Sequence, residues 1–178
     1  MVNLPSWDLF ITLFFIIGIA YGFILQKEKI IATLVSAYIA LVIVSVWSET
    51  LHKFFLGEKA VLNQLFVRSN ASPFTIQVIM FAVIILLLSS KSGISGSKAS
   101  KSILSPLESI IYSFLATALI LSSIFYFLPV EARMAFATQS KLAKLIIDYH
   151  NWWIMLPVLF LIFTGFRGGS SRNSSRDD

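Results

Sequence analysis

This sequence predicts an all-α, polytopic membrane helix bundle of four to five hydrophobic segments plus two interfacial amphipathic helices, and three observations predict it. Residues 9–25, 30–47, 74–89, 104–128 and 152–166 run apolar with at most one charge each. A soluble domain would place charge in every helix to keep one face wet. The chain is 57% apolar and 14% aromatic but only 13% charged, where a soluble domain carries about 25%. Trp7, Trp47, Trp152 and Trp153 fall at segment ends, the depth at which amphipathic rings meet headgroups.

These proportions leave room for one integral membrane domain, residues 1–166, followed by a 167–178 tail of Arg, Ser and Gly that is disordered by composition and suited to anionic lipid. Lys and Arg outnumber acids 14 to 9 but are scattered in twos and threes, not gathered into the stripe that nucleic acid requires. The absence of Cys excludes disulfides, zinc–thiolate sites and thiol nucleophiles.

Segment one has no Lys or Arg before it and no small-residue cleavage site after it, so it is expected to stay in the mature protein. Pro5, Ser6 and Asp8 supply a helix-compatible Pro, a capping hydroxyl and a carboxylate at the positive end of the helix dipole. Asp8 therefore reads as a cap of its own helix. Residues 26–29 are too short a connector to cross anything, so segments one and two are expected to pair as an antiparallel hairpin. Gly18 and Gly22 on the first, facing Ala32, Ser36 and Ala40 on the second, would let the backbones approach closely.

From Glu49 to Arg68, apolar and charged residues mix as in an interfacial amphipathic helix, interrupted near Gly57. Asn70-Ala71-Ser72 matches a glycosylation pattern but abuts the next span, and reads as chance. Pro73 opens segment three, whose Gln77 reads as a lateral hydrogen-bonding group. Residues 89–102, rich in Ser, Gly and Lys, form a solvated loop. Its S-x-x-K spacing at Ser95 and Lys98 has no companion motif.

Segment four opens at Ser105-Pro106 with Glu108 as dipole partner. Ser109, Ser113 and Thr117 recur every fourth residue on one face. Such a stripe either packs against small residues of a neighbouring helix or lines a polar path, and packing is favoured because no charge accompanies it. After Pro129, residues 132–149 read as a second amphipathic helix with Leu142, Leu145, Ile146 and Tyr149 on its apolar face. Residues 152–166 hold Pro157 and fall short of about 20, so this run either dips into the bilayer and returns or crosses a thinned one. If all five segments cross, eight of the 14 Lys and Arg lie on the side of loop one, loop three and the tail, which favours N-out, C-in.

The order of these parts resembles the colicin V production protein (CvpA) family of small bacterial inner-membrane proteins, across residues 7–157. The resemblance lies in Asp8 at the entrance of helix one, Gly18 and Gly22 late in it, the charged turn at Lys27 to Lys29, and Ala32, Ser36 and Ala40 in helix two. It continues through a fourth helix of small residues, Pro129, the stretch from Ser140 to Leu145, and Leu156-Pro157. This chain has Ser109, Ser113 and Ala116 where such proteins carry glycines, and Tyr21-Gly22-Phe23 at their Arg-Gly-type step. The resemblance implies a multi-pass inner-membrane protein linked to toxin production or export and envelope upkeep.

Three functional readings follow. The favoured one is a non-enzymatic envelope protein, without cofactor or metal, whose partners are the lipid bilayer and either a second copy or another membrane protein. The second is a small homo-oligomeric channel or transporter subunit lined by Ser109, Ser113 and Thr117, which ionisable residues at membrane depth would support. The third is an intramembrane enzyme. It is disfavoured because His52 and His150 fall in interfacial segments and no Ser/His pairing is visible at depth.

Overall fold

The structure, a computed structural model, describes residues 7–24, 27–55, 72–91 and 106–169. Every regular element among them is a helix: α1 (Trp7–Ile24), α2 (Lys27–Phe55), α3 (Pro73–Lys91), α4 (Pro106–Phe127), α5 (Val130–Gln139), α6 (Lys141–Asp148) and α7 (His150–Gly169). The molecule is an all-α helical bundle. Three of its helices contain stretches long and apolar enough to cross a membrane, Lys29–Trp47, Pro73–Ser90 and Leu107–Phe127. The pair α6–α7, bent by 67°, would make a fourth. The apolar part of α1, Trp7–Gly22, is shorter than the roughly 20 residues of a perpendicular span.

α4 is the centre. Of Leu107–Phe127, 61% is buried, against 6% of Pro73–Ser90. α4 packs on α1, α2, α3, α6 and α7, while α2 and α3 form the antiparallel hairpin. The direction of that hairpin is set by Thr33 near the start of α2, whose hydroxyl lies 3.1 Å from that of Ser89 at the end of α3. Two apolar clusters fill the bundle. Leu34, Ala37, Ala40 and Val44 of α2 meet Phe81, Tyr112 and Leu119 in one; Ile11, Leu121, Phe125, Ala143 and Ile146 form the other. The outer faces carry Ile16, Leu86, Leu87 and Phe163, all exposed, as helices surrounded by lipid require.

Several boundaries differ from the expectations. Residues 49–55, expected to begin a separate interfacial helix, continue α2. The reason is local: from Lys27 to Phe55 there is no Gly or Pro, and Gly57 is the first breaker. The single amphipathic helix expected over 132–149 is two, because the extended backbone of Ser140 interrupts it and the Ser140 hydroxyl caps α6 by accepting from Ala143 N–H at 2.9 Å. α6 buries Ala143 and Ile146, while Leu142, Leu145 and Tyr149 point outward. Its apolar arc is wide, and only one edge of it meets the protein. α7 runs unbroken through a buried Pro157 to Gly169, three residues past the end of the apolar run. The lost Pro N–H is tolerable where neighbouring helices enclose the turn.

Pro5 and Ser6, most of the expected interfacial stretch (56–68), Asn70 and Ala71, the Ser/Gly/Lys loop from residue 92, Ser105 and residues 170–178 lie outside the described residues.

Candidate functional site

The small residues of α1 do not face α2. A Cβ at Gly18 would lie 2.7 Å from Thr117 Cγ2, and one at Gly22 would overlap the Ser113 hydroxyl and sit 3.3 Å from its Cα. The G-x-x-x-G face of α1 is therefore pressed against α4, whose Ser113 and Thr117 repeat at the same four-residue spacing. This corrects the expected α1–α2 contact through Gly18, Gly22 and Ser36. Two glycine notches meet two small hydroxylated residues, and backbone approach is closest there. Ser36 and Ala40 are buried on α2, which packs on α3 and α4; Ala32, on the same row, is half-buried.

Two hydroxyls of the α4 stripe, those of Ser113 and Thr117, are satisfied within their own helix. Ser113 Oγ donates to the Ser109 carbonyl at 2.6 Å, and Thr117 Oγ1 to the Ser113 carbonyl at 2.7 Å. Back-bonding of this kind meets the donor's need without water or a second helix. Ser113 and Thr117 are buried, while Ser109, a turn nearer the helix start, is half-buried.

Because α1 leans on α4, a wedge opens between α1 and its chain neighbour α2. It is a groove of about 230 Å³ walled by Phe14, Ile17 and Tyr21 of α1, Ile30 of α2, and Ala116 and Ile120 of α4. Ile17 and Tyr21 are about 60% exposed, so the groove is open to the side.

At the opposite end of α1, Asp8 does something other than cap its own helix. Its carboxylate accepts from Ser140 Oγ at 2.6 Å and from Leu142 N–H at 3.0 Å, so Asp8 and Ser140 together close the N-terminus of α6. The Ser140 hydroxyl, then the Leu142 amide, hold the Asp8 carboxyl below its ordinary value, with Lys141 adding a smaller attraction. Trp7 reinforces the junction edge-on to Phe136 of α5, ring centres 4.6 Å apart.

A second polar cluster brings together a Ser and a His that no sequence spacing pairs. Ser122 Oγ lies 2.7 Å from His150 Nδ1. The imidazole stacks on Tyr126 at 4.5 Å with planes 4° apart, and the Arg133 guanidinium lies over the other partner of that stack, 5.4 Å from the Tyr126 ring centre. Arg133 Nε is buried without a hydrogen-bond partner. A Ser–His pair at this distance has the first requirement of nucleophilic catalysis. Access fails, however: Ser122 is 1% exposed, and the cleft beside it holds about 10 Å³, at most one water. The residues lie on three helices, and no spacing rule joins them.

The tryptophan pair also divides. Trp152 points outward, whereas Trp153 packs 6.1 Å from Phe114, edge to face, with its buried indole N–H unpaired. On the other side of α7, Tyr38 donates its O–H to the Ile154 carbonyl and the Tyr112 and Thr164 hydroxyls are hydrogen-bonded, tying α2 and α4 to α7.

Set against family models, curated proteins and solved structures, the chain matches none.

Proposed function

We propose that this chain is a non-enzymatic multi-pass protein of the bacterial inner membrane that works through helix contacts with a second copy or with another membrane protein. The role we assign is the one that the family resemblance implies, in toxin production or export and envelope upkeep. The observation that carries the reading is the state of the α4 stripe. Ser113 and Thr117 are covered by Gly18 and Gly22 and bonded to their own helix, so the residues that a pore would need to wet serve as a packing seam. A homo-oligomeric channel would have to take its lining from elsewhere, and the large exposed side chains on the described outward faces are aliphatic and aromatic. The sealed Ser122–His150 pair supports a structural role over an enzymatic one.

Crosslinking in native membranes, followed by identification of the linked species, tests this. A defined complex with another membrane protein, or a discrete dimer without flux after reconstitution, is expected. A homomeric ring that conducts selectively would replace this reading with the channel.

A further inference from the structure

The groove between α1 and α2 has the dimensions of one leaflet. From Gly22 to Phe14 it follows α1 for about 12 Å at 1.5 Å per residue, and half of a hydrocarbon core is about 15 Å. Its volume, about 230 Å³, is a slot one chain wide; a helix, about 10 Å across, does not enter it. The walls are aliphatic and aromatic. The hydroxyls at its floor, Ser113 and Thr117, already donate to their own helix, and Thr33 donates to the Lys29 carbonyl at 2.9 Å. An apolar occupant therefore leaves no donor stranded.

One end of the slot lies at the charged rim of the bundle. α2 begins there with Lys27 and Lys29 around Glu28, α3 ends at Lys91, α4 carries Glu108 in its first turn, and α7 approaches its end at Arg167. Among the described side chains there, Lys29 is exposed in the first turn of α2 and offers a cation to a headgroup. Tyr21, exposed at the mouth, places a phenol at the depth where tyrosine meets headgroups.

We propose that the groove is a binding site for one acyl chain of an anionic phospholipid, drawn from the leaflet on the Lys29 side, with its phosphate at the lysine rim. The site exists because the glycine face of α1 is committed to α4, which separates α1 from α2 and leaves a gap that hydrocarbon must fill. It stands independently of the role proposed above.

Native mass spectrometry of the full-length protein in mild detergent tests this, with phosphatidylglycerol and phosphatidylcholine of matched chains as probes. One phosphatidylglycerol should be retained per chain, about tenfold in preference to phosphatidylcholine, and Lys29→Gln should weaken retention about fivefold. Ile17 lines the groove yet is exposed, so Ile17→Trp should fill the slot and abolish retention without disturbing the core. Leu86→Trp, the same kind of change on the lipid face of α3, should leave retention intact. Equal retention of both lipids would overturn the proposal, as would retention unchanged by Ile17→Trp. A dimer that forms without lipid and is dispersed by Ile17→Trp would assign the groove to a second copy instead.

Discussion

Asp8 shows how one side chain can serve an element far from it in sequence. Its partners Ser140 and Leu142 lie 132 and 134 residues away, and the charge-assisted bonds to them anchor the start of α1 to the start of α6. Asp8→Ala should lower Tm and loosen residues 140–148 to hydrogen exchange. The folded carboxyl titrates below its ordinary 3.8, so the stability it contributes is fully present above that pH and is lost as pH falls through the folded value. The Tm difference between wild type and Asp8→Ala should therefore hold steady from neutrality down to about pH 5 and shrink below 3.8. A difference independent of pH would mean that the carboxylate charge is not what holds α6. Ser122 invites a second test at this scale. A fluorophosphonate probe should leave it unlabelled in the folded protein, because the hydroxyl is 1% exposed; labelling that disappears in Ser122→Ala would establish a reactive serine.

Among the helices, α4 sets the arrangement of the others. At Gly22 the added Cβ of any residue meets Ser113 backbone as well as its hydroxyl, so Gly22→Leu should cost about 1–3 kcal/mol through overpacking. Gly22→Ala is the sharper measurement, since Ser113→Gly removes the side chain it strikes. The double variant should recover part of the stability lost in Gly22→Ala, a coupling that double-mutant cycles detect between residues in contact. Strict additivity would place the α1 contact elsewhere. Alanine at Ser109, Ser113 and Thr117 together keeps the small size that the seam needs, and the Ser113 and Thr117 hydroxyls it removes bond only to their own helix, so the triple variant should fold with a loss of about 1–2 kcal/mol. Selective flux in the reconstituted wild type, abolished by that variant with folding intact, would favour the channel.

Across the whole molecule, the alternation of helices puts the end of α2 and the α5–α6 pair at one end and Lys29 at the other. The α2–α3 hairpin, the antiparallel seating of α1 on α4 and the Asp8 bond to Ser140 all agree on this. The chain contains no Cys, which makes single-cysteine labelling clean. Under the N-out, C-in orientation, Lys53→Cys and Lys144→Cys should both react with an impermeant maleimide from outside, and Lys29→Cys only after permeabilisation. Opposite sides for Lys53 and Lys144 would remove one span from the bundle, and the reverse pattern throughout would invert the orientation.

The sequence alone determined the helical class, the approximate limits of the apolar segments and the presence of small-residue faces on α1, α2 and α4. Hydrophobic runs, prolines and glycine spacing are local properties, and in lipid the backbone has little choice but helix. It also showed that Ser140 stood in an amphipathic stretch, yet not that this residue would divide it, because the capping geometry is completed by Asp8. Which small face meets which was decided only by the tertiary structure. Gly18 and Gly22 could have served α2 or α4 equally by size and by four-residue spacing, and α4 received them while α2 turns its own small face toward α3 and α4. The groove between α1 and α2 follows from that choice, and the Ser122–His150 pair from the separate packing of α7 on α4. The pair joins helices distant in the chain and the groove needs α4 as its floor, so no periodicity records either.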